Sequence, residues 1–438
     1  MTDPTFDIVS DNTGQPDWSA IFVGDCILEG DFDRPPLTDG VIEEITCAEM
    51  SVFNLEAPIA GTTKIPKQGP TKETLPETPA VLREAGFNAA TLANNHIMDY
   101  GDLGLFKSVE SCESENIATF GVGNNHDDAL SPLTTTINNT TIALFGVCER
   151  EFSLAGKTSP GAAWVSHPNT ESQIRHASKK NGIVIVCSHG GTEHVPVPPP
   201  NRQEQLRAFV DEGADVVIGH HPHVAQGWEV YNGSPIFYSL GNFLYWKPAR
   251  PSTEWSLGVR LNFQESDLTS VQGILFEIND TQVAKMGGKR NSQDHIAHLE
   301  RISELVEKGY AGYWQEIAIR KFESWYNGRI KYYGLPRPIA ILLYPLWFLD
   351  EVTRGKVTQK DQSEERMLDI LNYIQNESHN DIMISALRMK LGIDTDFRSP
   401  SICDEVEQLL EWTDERDEED FLERWIRRSK ITWQRIQN

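Results

Sequence analysis

The chain runs to 438 residues and carries 39 Lys and Arg against 64 Asp and Glu, which leaves it at −25 with histidines neutral. Hydrophobic residues at 39% and aromatics at 9% supply packed cores and exclude a disordered chain, and the length points to two or three domains. The acidity argues against a nucleic-acid partner, because a polyanion meets net repulsion unless one face is strongly basic, and no such face is visible in the sequence.

The first nineteen residues hold neither a basic start nor an apolar run, so no signal peptide is expected and the location is read as cytoplasmic. From residue 20 to about 276, apolar runs of strand length alternate with helical patterns. The expected strands are 20–23, 52–54, 89–92, 141–145, 183–188, 216–219 and 236–239. The expected helices between them are 38–50, 79–85, 103–115, 171–180 and 201–212, three of them closed by Gly86, Gly182 and Gly213. Runs this rich in Val and Ile suit strands buried on both faces, so the order implies an α/β sheet sandwiched by helices. The six cysteines form no C-x-x-C pair and read as reduced thiols, most of them within apolar runs.

Beyond residue 285 the pattern turns helical. Ile296, Leu299, Ile302 and Leu305 recur at near-helical spacing, as do Trp314, Ile317, Ala318 and Trp325, and then Met367, Ile370, Leu371 and Ile374. These stripes are read as core faces. The stretch 339–349 is apolar, yet Pro345 interrupts it and it falls short of the roughly 20 residues of a spanning helix. A buried helix is the expectation there, with docking on a membrane surface as the alternative.

Polar residues stand again and again just after an expected strand. Ligands of open α/β sheets bind at the strands' carboxyl ends, so these residues are expected to converge. Asp25 follows Gly24 after the first strand, and Asn54 and Glu56 share one side of the second strand's end. Taken alone, each fits a solvated turn as well as it fits a ligand. Asn94, Asn95 and His96, with Asp99 close behind, crowd amide oxygens and an imidazole into one turn. His189 ends a very apolar run beside Gly190 and Gly191, which leave room for a ligand, and Glu193 and His194 follow. In His220-His221-Pro222-His223, three imidazoles within four residues are difficult to explain structurally, and an H-x-H pair at a strand end offers two nitrogens to one or two metals. The combined oxygen and nitrogen set suits Mn, Fe, Zn or Co and is large enough for two divalent ions. Two ions about 3.5–4 Å apart polarise a phosphoryl or carbonyl group and lower the pKa of a water, which is hydrolytic chemistry.

The blocks FVGDCIL, FNLEAPI, LANNHIMDYG, SHGGTEH, VIGHHPHVAQ and YSLGNF resemble, in order and spacing, the poly-γ-glutamate capsule biosynthesis protein CapA family of the calcineurin-like metallophosphoesterase superfamily. The resemblance covers residues 20–245. It implies a layered αββα fold over 18–285; the helical domain read from periodicity over 286–438 lies outside the resemblance, and its role stays open. By position it implies Asp25, Glu56, Asn95, His189, His221 and His223 as metal ligands and His96 as the catalytic histidine. Asn54, Asn94, Asp99, Glu193, His194 and Asn242 are further cleft candidates, and His220 takes a position the family does not require. Where the superfamily has D-x-H, this chain reads Asp25-Cys26-Ile27, one nitrogen fewer. Where relatives read H-W-G-x-E-Y, this chain has His189-Gly190-Gly191-Thr192-Glu193-His194, which implies a differently shaped pocket.

Two functions compete at this point. One is a metal-dependent hydrolase of a phosphoester or of a glutamyl amide in capsule polymer metabolism. The other is an accessory protein whose cleft binds an anionic polymer, without turnover, during synthesis or export. Lys64, Lys67, Lys72 and Arg202 fall in expected loops around the cleft and suit an anionic polymer or a small phosphoester equally.

Overall fold

The computed structural model describes residues 4–10, 15–28, 36–59, 63–67, 69–245, 253–278, 282–287, 289–326, 368 and 371–413. The chain begins with β1 (Thr5–Ser10), β2 (Trp18–Ile27), α1 (Asp39–Thr46), β3 (Met50–Leu55), α2 (Thr78–Glu84), β4 (Ala89–Thr91), α3 (Gly101–Ser114) and β5 (Ala118–Phe120). The middle holds β6 (Val122–Gly123), α4 (His126–Ala129), β7 (Leu133–Ile137), β8 (Thr140–Cys148), β9 (Gly161–Ala162), α5 (Thr170–Ser178), β10 (Ile183–His189), α6 (Pro200–Asp211) and β11 (Val216–His220). Then come β12 (Trp228–Tyr231), β13 (Ser234–Phe237), β14 (Asn242–Tyr245), β15 (Trp255–Gln264), β16 (Asp267–Ile278) and β17 (Val283–Lys285). Helices α7 (Lys289–Lys308) and α8 (Ala311–Lys321), a π-helical turn over Phe322–Tyr326, and helices α9 (Glu377–Lys390) and α10 (Pro400–Leu410) complete the described elements.

The strands build two large sheets. One has nine strands ordered β1-β16-β15-β2-β3-β4-β5, with β14 on β2 and β17 on β16; the other has six, ordered β12-β13-β11-β10-β8-β7. Alternation along the strands explains how they stack. In β2, Trp18, Ala20 and Phe22 enter a core shared with Ile183, Ile185 and Cys187 of β10, so the two sheets pack face to face. Ile21 and Val23, on the other side of β2, pack with Val41 and Ile45 of α1 and Leu82 of α2. Val184 and Val186, on the other side of β10, meet Ile174 of α5 and Leu206 and Phe209 of α6. The architecture is therefore the layered αββα arrangement that the resemblance implies. The segments 20–23 of β2 and 183–187 of β10 read as unbroken apolar runs because both faces of these strands are covered.

The C-terminal helices lie against the second sheet. Ile302 and Val306 of α7, Ile317 of α8, Ile382 of α9 and Leu409 of α10 share one buried cluster with Val186, Val217 and Phe209. Leu299, Ile302, Trp314, Ile317 and Ala318 are buried as their spacing implies, whereas Leu371 and Ile374 are 44% and 68% exposed, so that last stripe is no core face among the described residues. The stretch 339–349 lies outside the described residues, as do Met367 and Ile370. Among the described residues, no helix is long and apolar enough to cross a membrane.

Three differences from the sequence reading have clear causes. The first helix stops at Thr46, and Met50 already opens β3. One apolar period thus ran across a helix, a three-residue turn and a strand. The hairpin of β15 and β16 escaped notice because its strands interleave polar residues with apolar ones. Finally, Gly24 and Asp25 lie inside β2, which continues to Ile27, since a strand flanked by β3, β14 and β15 finds hydrogen-bond partners past its apolar run.

Candidate metal centre

Strand register decides which polar side chains meet. In the first sheet, Asp25 is level with Asn54 of β3 on one side and with Asn242 of β14 on the other. In the second, His189 ends β10 level with His220 of β11. The parallel strands of each sheet put these residues at their carboxyl ends, and the two sets face each other where the sheets abut. The tight fit relies on two glycines: a Cβ on Gly24 would lie 1.9 Å from the carbonyl oxygen of Gly241, and one on Gly219 would lie 2.1 Å from that of Tyr238. His221 and His223 take φ of 100° and 60°, a region disfavoured for side-chain-bearing residues, as the chain turns sharply beyond β11.

Two triads of possible ligand atoms result: Glu56 with His189 and His221, and Asp25 with Glu56 and His223. Within each triad the atoms lie within 4.8 Å of one another, and Glu56 belongs to both. His189 Nε2 stands 3.0 Å from His221 Nδ1, 3.1 Å from Asn95 Oδ1 and 3.9 Å from Glu56 Oε1. His223 Nε2 is 3.5 Å from Glu56 Oε1, and its Nδ1 is 3.5 Å from Asp25 Oδ2 and 3.0 Å from Asn242 Oδ1. All six residues implied as ligands are thus gathered here from both sheets.

The surroundings fit a divalent cation. Glu56 is fully buried, and neither of its carboxylate oxygens has a hydrogen-bond partner, a state that costs stability unless something positive completes it. Burial pushes the Glu56 carboxyl well above its usual range, against the pull of His223. Burial would raise Asp25 too, but hydrogen bonds to His220 and His223 and the nearby imidazoles hold it well below. Burial pushes His189 well down and His221 down to about 4, so both present neutral rings with a lone pair to offer. His223 goes the other way, to about 10: burial would lower it, and Glu56, Asp25 and Glu193 together outweigh burial.

The remaining candidates support this centre. Asn54 Nδ2 donates to Asp25 Oδ1 at 2.7 Å and stands 3.2 Å from His189 Nδ1. Asn94 Nδ2 donates to the Leu55 carbonyl at 2.7 Å, and Asn94 Oδ1 accepts the His96 backbone N–H at 3.1 Å, which fixes the turn that carries Asn95. His96 Nδ1 is 2.8 Å from Asp99 Oδ2, and burial brings its pKa down to about 4. Glu193 is half-buried, and although burial raises its carboxyl, His223, His221 and His194 bring it to about 2. The His194 ring lies 5.7 Å from that of His223.

Several neighbours take other places than the sequence reading gave them, and a few were absent from it. The Lys67 side chain is buried, with Nζ 2.5 Å from Asp99 Oδ1 and 3.1 Å from His96 Nδ1, so it belongs to the His96 turn and not to a free basic rim. Arg202 likewise is no rim residue: it sits in α6, 2% exposed, and donates to the Ser188 carbonyl at 2.8 Å. His220, set aside in the sequence reading, has Nδ1 3.2 Å from Asp25 Oδ1, beside the carboxylate whose D-x-H partner this chain lacks. A small cavity of about 10 Å³ adjoins the centre, lined by Asn95, Glu149, Arg150, Glu151, His189 and His221 and, from far along the chain, by Asn376 and Ser378. Ser378 of α9 donates to Glu149 Oε2 and to the Gly191 carbonyl. No local motif announces a helix from nearly 190 residues further on.

Layered sheets with a carboxylate, amide and imidazole cluster at their facing carboxyl ends define an α/β protein of the layered αββα class with a candidate metal centre. Residues 19–246, a little over half of the chain, match the family described as bacterial capsule synthesis protein PGA_cap. The chain belongs to that family. It is similar to the capsule biosynthesis protein CapA of Bacillus anthracis, 35% identical over 39% of this chain and 43% of that protein. It is also similar to the PGA biosynthesis protein CapA of Bacillus subtilis, 37% identical over 41% of this chain and 49% of that protein. A probable polyglutamine synthesis accessory protein of Mycobacterium tuberculosis is 25% identical over 45% of this chain and 56% of that protein. The chain thus spans about half the length of the curated relatives it matches.

Proposed function

We propose that the chain is a metal-dependent hydrolase of a phosphoester or a glutamyl amide, acting in poly-γ-glutamate capsule biosynthesis. The observation that carries this reading is Glu56, buried with no hydrogen bond to either oxygen and common to two triads of possible ligands. Asp25, Glu56, Asn95, His189, His221 and His223 would hold the metal, and their mix of oxygen and nitrogen suits Mn, Fe, Zn or Co. A bound divalent ion supplies Lewis acidity and a water of lowered pKa. The protein's own part is positioning. Asp99 accepts the Nδ1 proton of His96, which leaves Nε2 as the ring's lone-pair atom, and Lys67 neutralises Asp99. Asn54 keeps Asp25 and His189 in place, and Asn94 keeps the Asn95 turn in place.

A second reading keeps the metal and removes the turnover, in keeping with the accessory role named for the Mycobacterium relative. Elemental analysis of the purified protein, with turnover of chromogenic phosphoesters and γ-glutamyl anilides, separates the two. The hydrolase reading expects bound metal and turnover, both lowered by at least about tenfold in His221→Ala. Metal without turnover on either substrate panel leaves the accessory reading, and no metal at all overturns both.

A further inference from the structure

A second cleft, of about 700 Å³, adjoins the cavity at the metal centre, and Arg150 and Glu151 line both. Its other walls include His126, Lys157, Trp164, His167 and Gln375. The Arg150 guanidinium lies 3.9 Å from the centre of the Trp164 ring, and among the described residues no carboxylate pairs with it. Stacking holds the planar fork in place with its N–H groups uncommitted, the arrangement that suits bidentate capture of a carboxylate. Lys157 is exposed and likewise makes no ion pair among the described residues.

The imidazoles add donors. His126 Nε2 accepts the Trp164 backbone N–H at 3.3 Å, so the ring proton sits on Nδ1, which is buried without a partner. His167 Nδ1 accepts the Asn169 backbone N–H at 3.2 Å, which puts its proton on Nε2. The two rings stack at 3.6 Å. The same walls carry acceptors, the carboxylates of Asp127 and Glu151, and the amides of Asn125, Asn169 and Gln375. A bare phosphate would be repelled by those carboxylates, whereas a chain that bears carboxylates and also amide N–H groups satisfies both kinds of wall. The chain's net charge of −25 makes such local matching necessary, because long-range attraction of an anion is lacking.

We infer that this cleft binds an extended poly-carboxylate amide chain of the glutamyl type, with Arg150 and Lys157 on its carboxylates, and delivers it to the metal centre. The inference rests on the proposed link to poly-γ-glutamate. Binding of a short γ-linked glutamate oligomer to the full chain, followed by Trp fluorescence and calorimetry, tests it. The expected result is saturable binding that weakens about tenfold or more in Arg150→Met and by a smaller factor in Lys157→Ala, while metal content and melting temperature stay as in the parent. Inorganic phosphate should compete poorly. Undiminished binding in both variants, or competition by phosphate as effective as by the oligomer, would overturn the assignment. The proposed hydrolase is judged separately: missing metal or turnover defeats that reading even if the oligomer binds here, and oligomer binding that ignores Arg150 and Lys157 defeats this one even if turnover is present.

Discussion

Glu56 carries an unusual burden for one side chain, since it is fully buried, belongs to both ligand triads and has no hydrogen bond to either oxygen. Burial pushes its carboxyl well above the usual range, against the pull of His223, so a charge there is costly to keep without a cation beside it. A glutamine there keeps the shape and removes the charge. Glu56→Gln is therefore expected to change metal-free stability by less than about 1 kcal/mol while abolishing the rise in melting temperature on adding Mn or Zn. Thermal melts of parent and variant, each with chelator and with metal, give the answer. A variant as strongly stabilised by metal as the parent would show that Glu56 is no ligand.

At the level of strands and turns, the centre depends on how closely β2 approaches the Gly241 turn ahead of β14. The Asp25 backbone N–H donates to the Gly241 carbonyl at 3.0 Å, and the added Cβ of Gly24→Ala would lie 1.9 Å from that same oxygen. Backbone cannot step aside as the tip of a side chain can, so the strands must part. The expected cost is about 1–3 kcal/mol in urea melts, with loss of metal because Asp25 and Asn242 move apart. An unchanged midpoint with full metal content would contradict it. This contact also marks where the sequence stopped being legible. Asp25, Glu56, His189 and His223 could be picked out because buried parallel strands announce themselves as apolar runs and ligands sit where those runs end. Asn242 came from a family block alone, since β14 is a four-residue strand with no run of its own. Glu149 and Ser378 stayed hidden, and Lys67 read only as a basic residue near the cleft, because their approach is tertiary: Lys67 crosses to Asp99 from a loop, and Ser378 arrives from α9. That two sheets meet here, and not one, is likewise set by packing between distant strands.

Across the whole molecule, the C-terminal helices are bound to the layered sheets by aromatic contacts as well as by aliphatic ones. His298 of α7 stacks on Trp412, just beyond α10, at 4.2 Å and 13°, while His295 of α7 meets Trp255 of β15 edge-on at 4.6 Å. His298 is 6% exposed, and burial, reinforced by His295 and Arg301, pushes its pKa down to about 3. In the unfolded chain an ordinary histidine takes up its proton near about 6.5, so below that pH the unfolded state binds a proton that the folded state refuses. The stability from keeping this ring neutral is intact above about pH 6.5 and drains away as the pH falls toward 3. Between pH 7 and about 4.5 the loss from this one site is on the order of 2–3 kcal/mol. Titration of the many carboxylates of so acidic a chain also alters stability with pH, but that contribution is common to the parent and to His298→Phe and cancels in their difference. Urea melts at both pH values should therefore show the parent losing about 2–3 kcal/mol more than the variant on acidification. Equal losses would mean that the ring accepts its proton in the folded state, and that the stack on Trp412 opens without strain on the layers it joins.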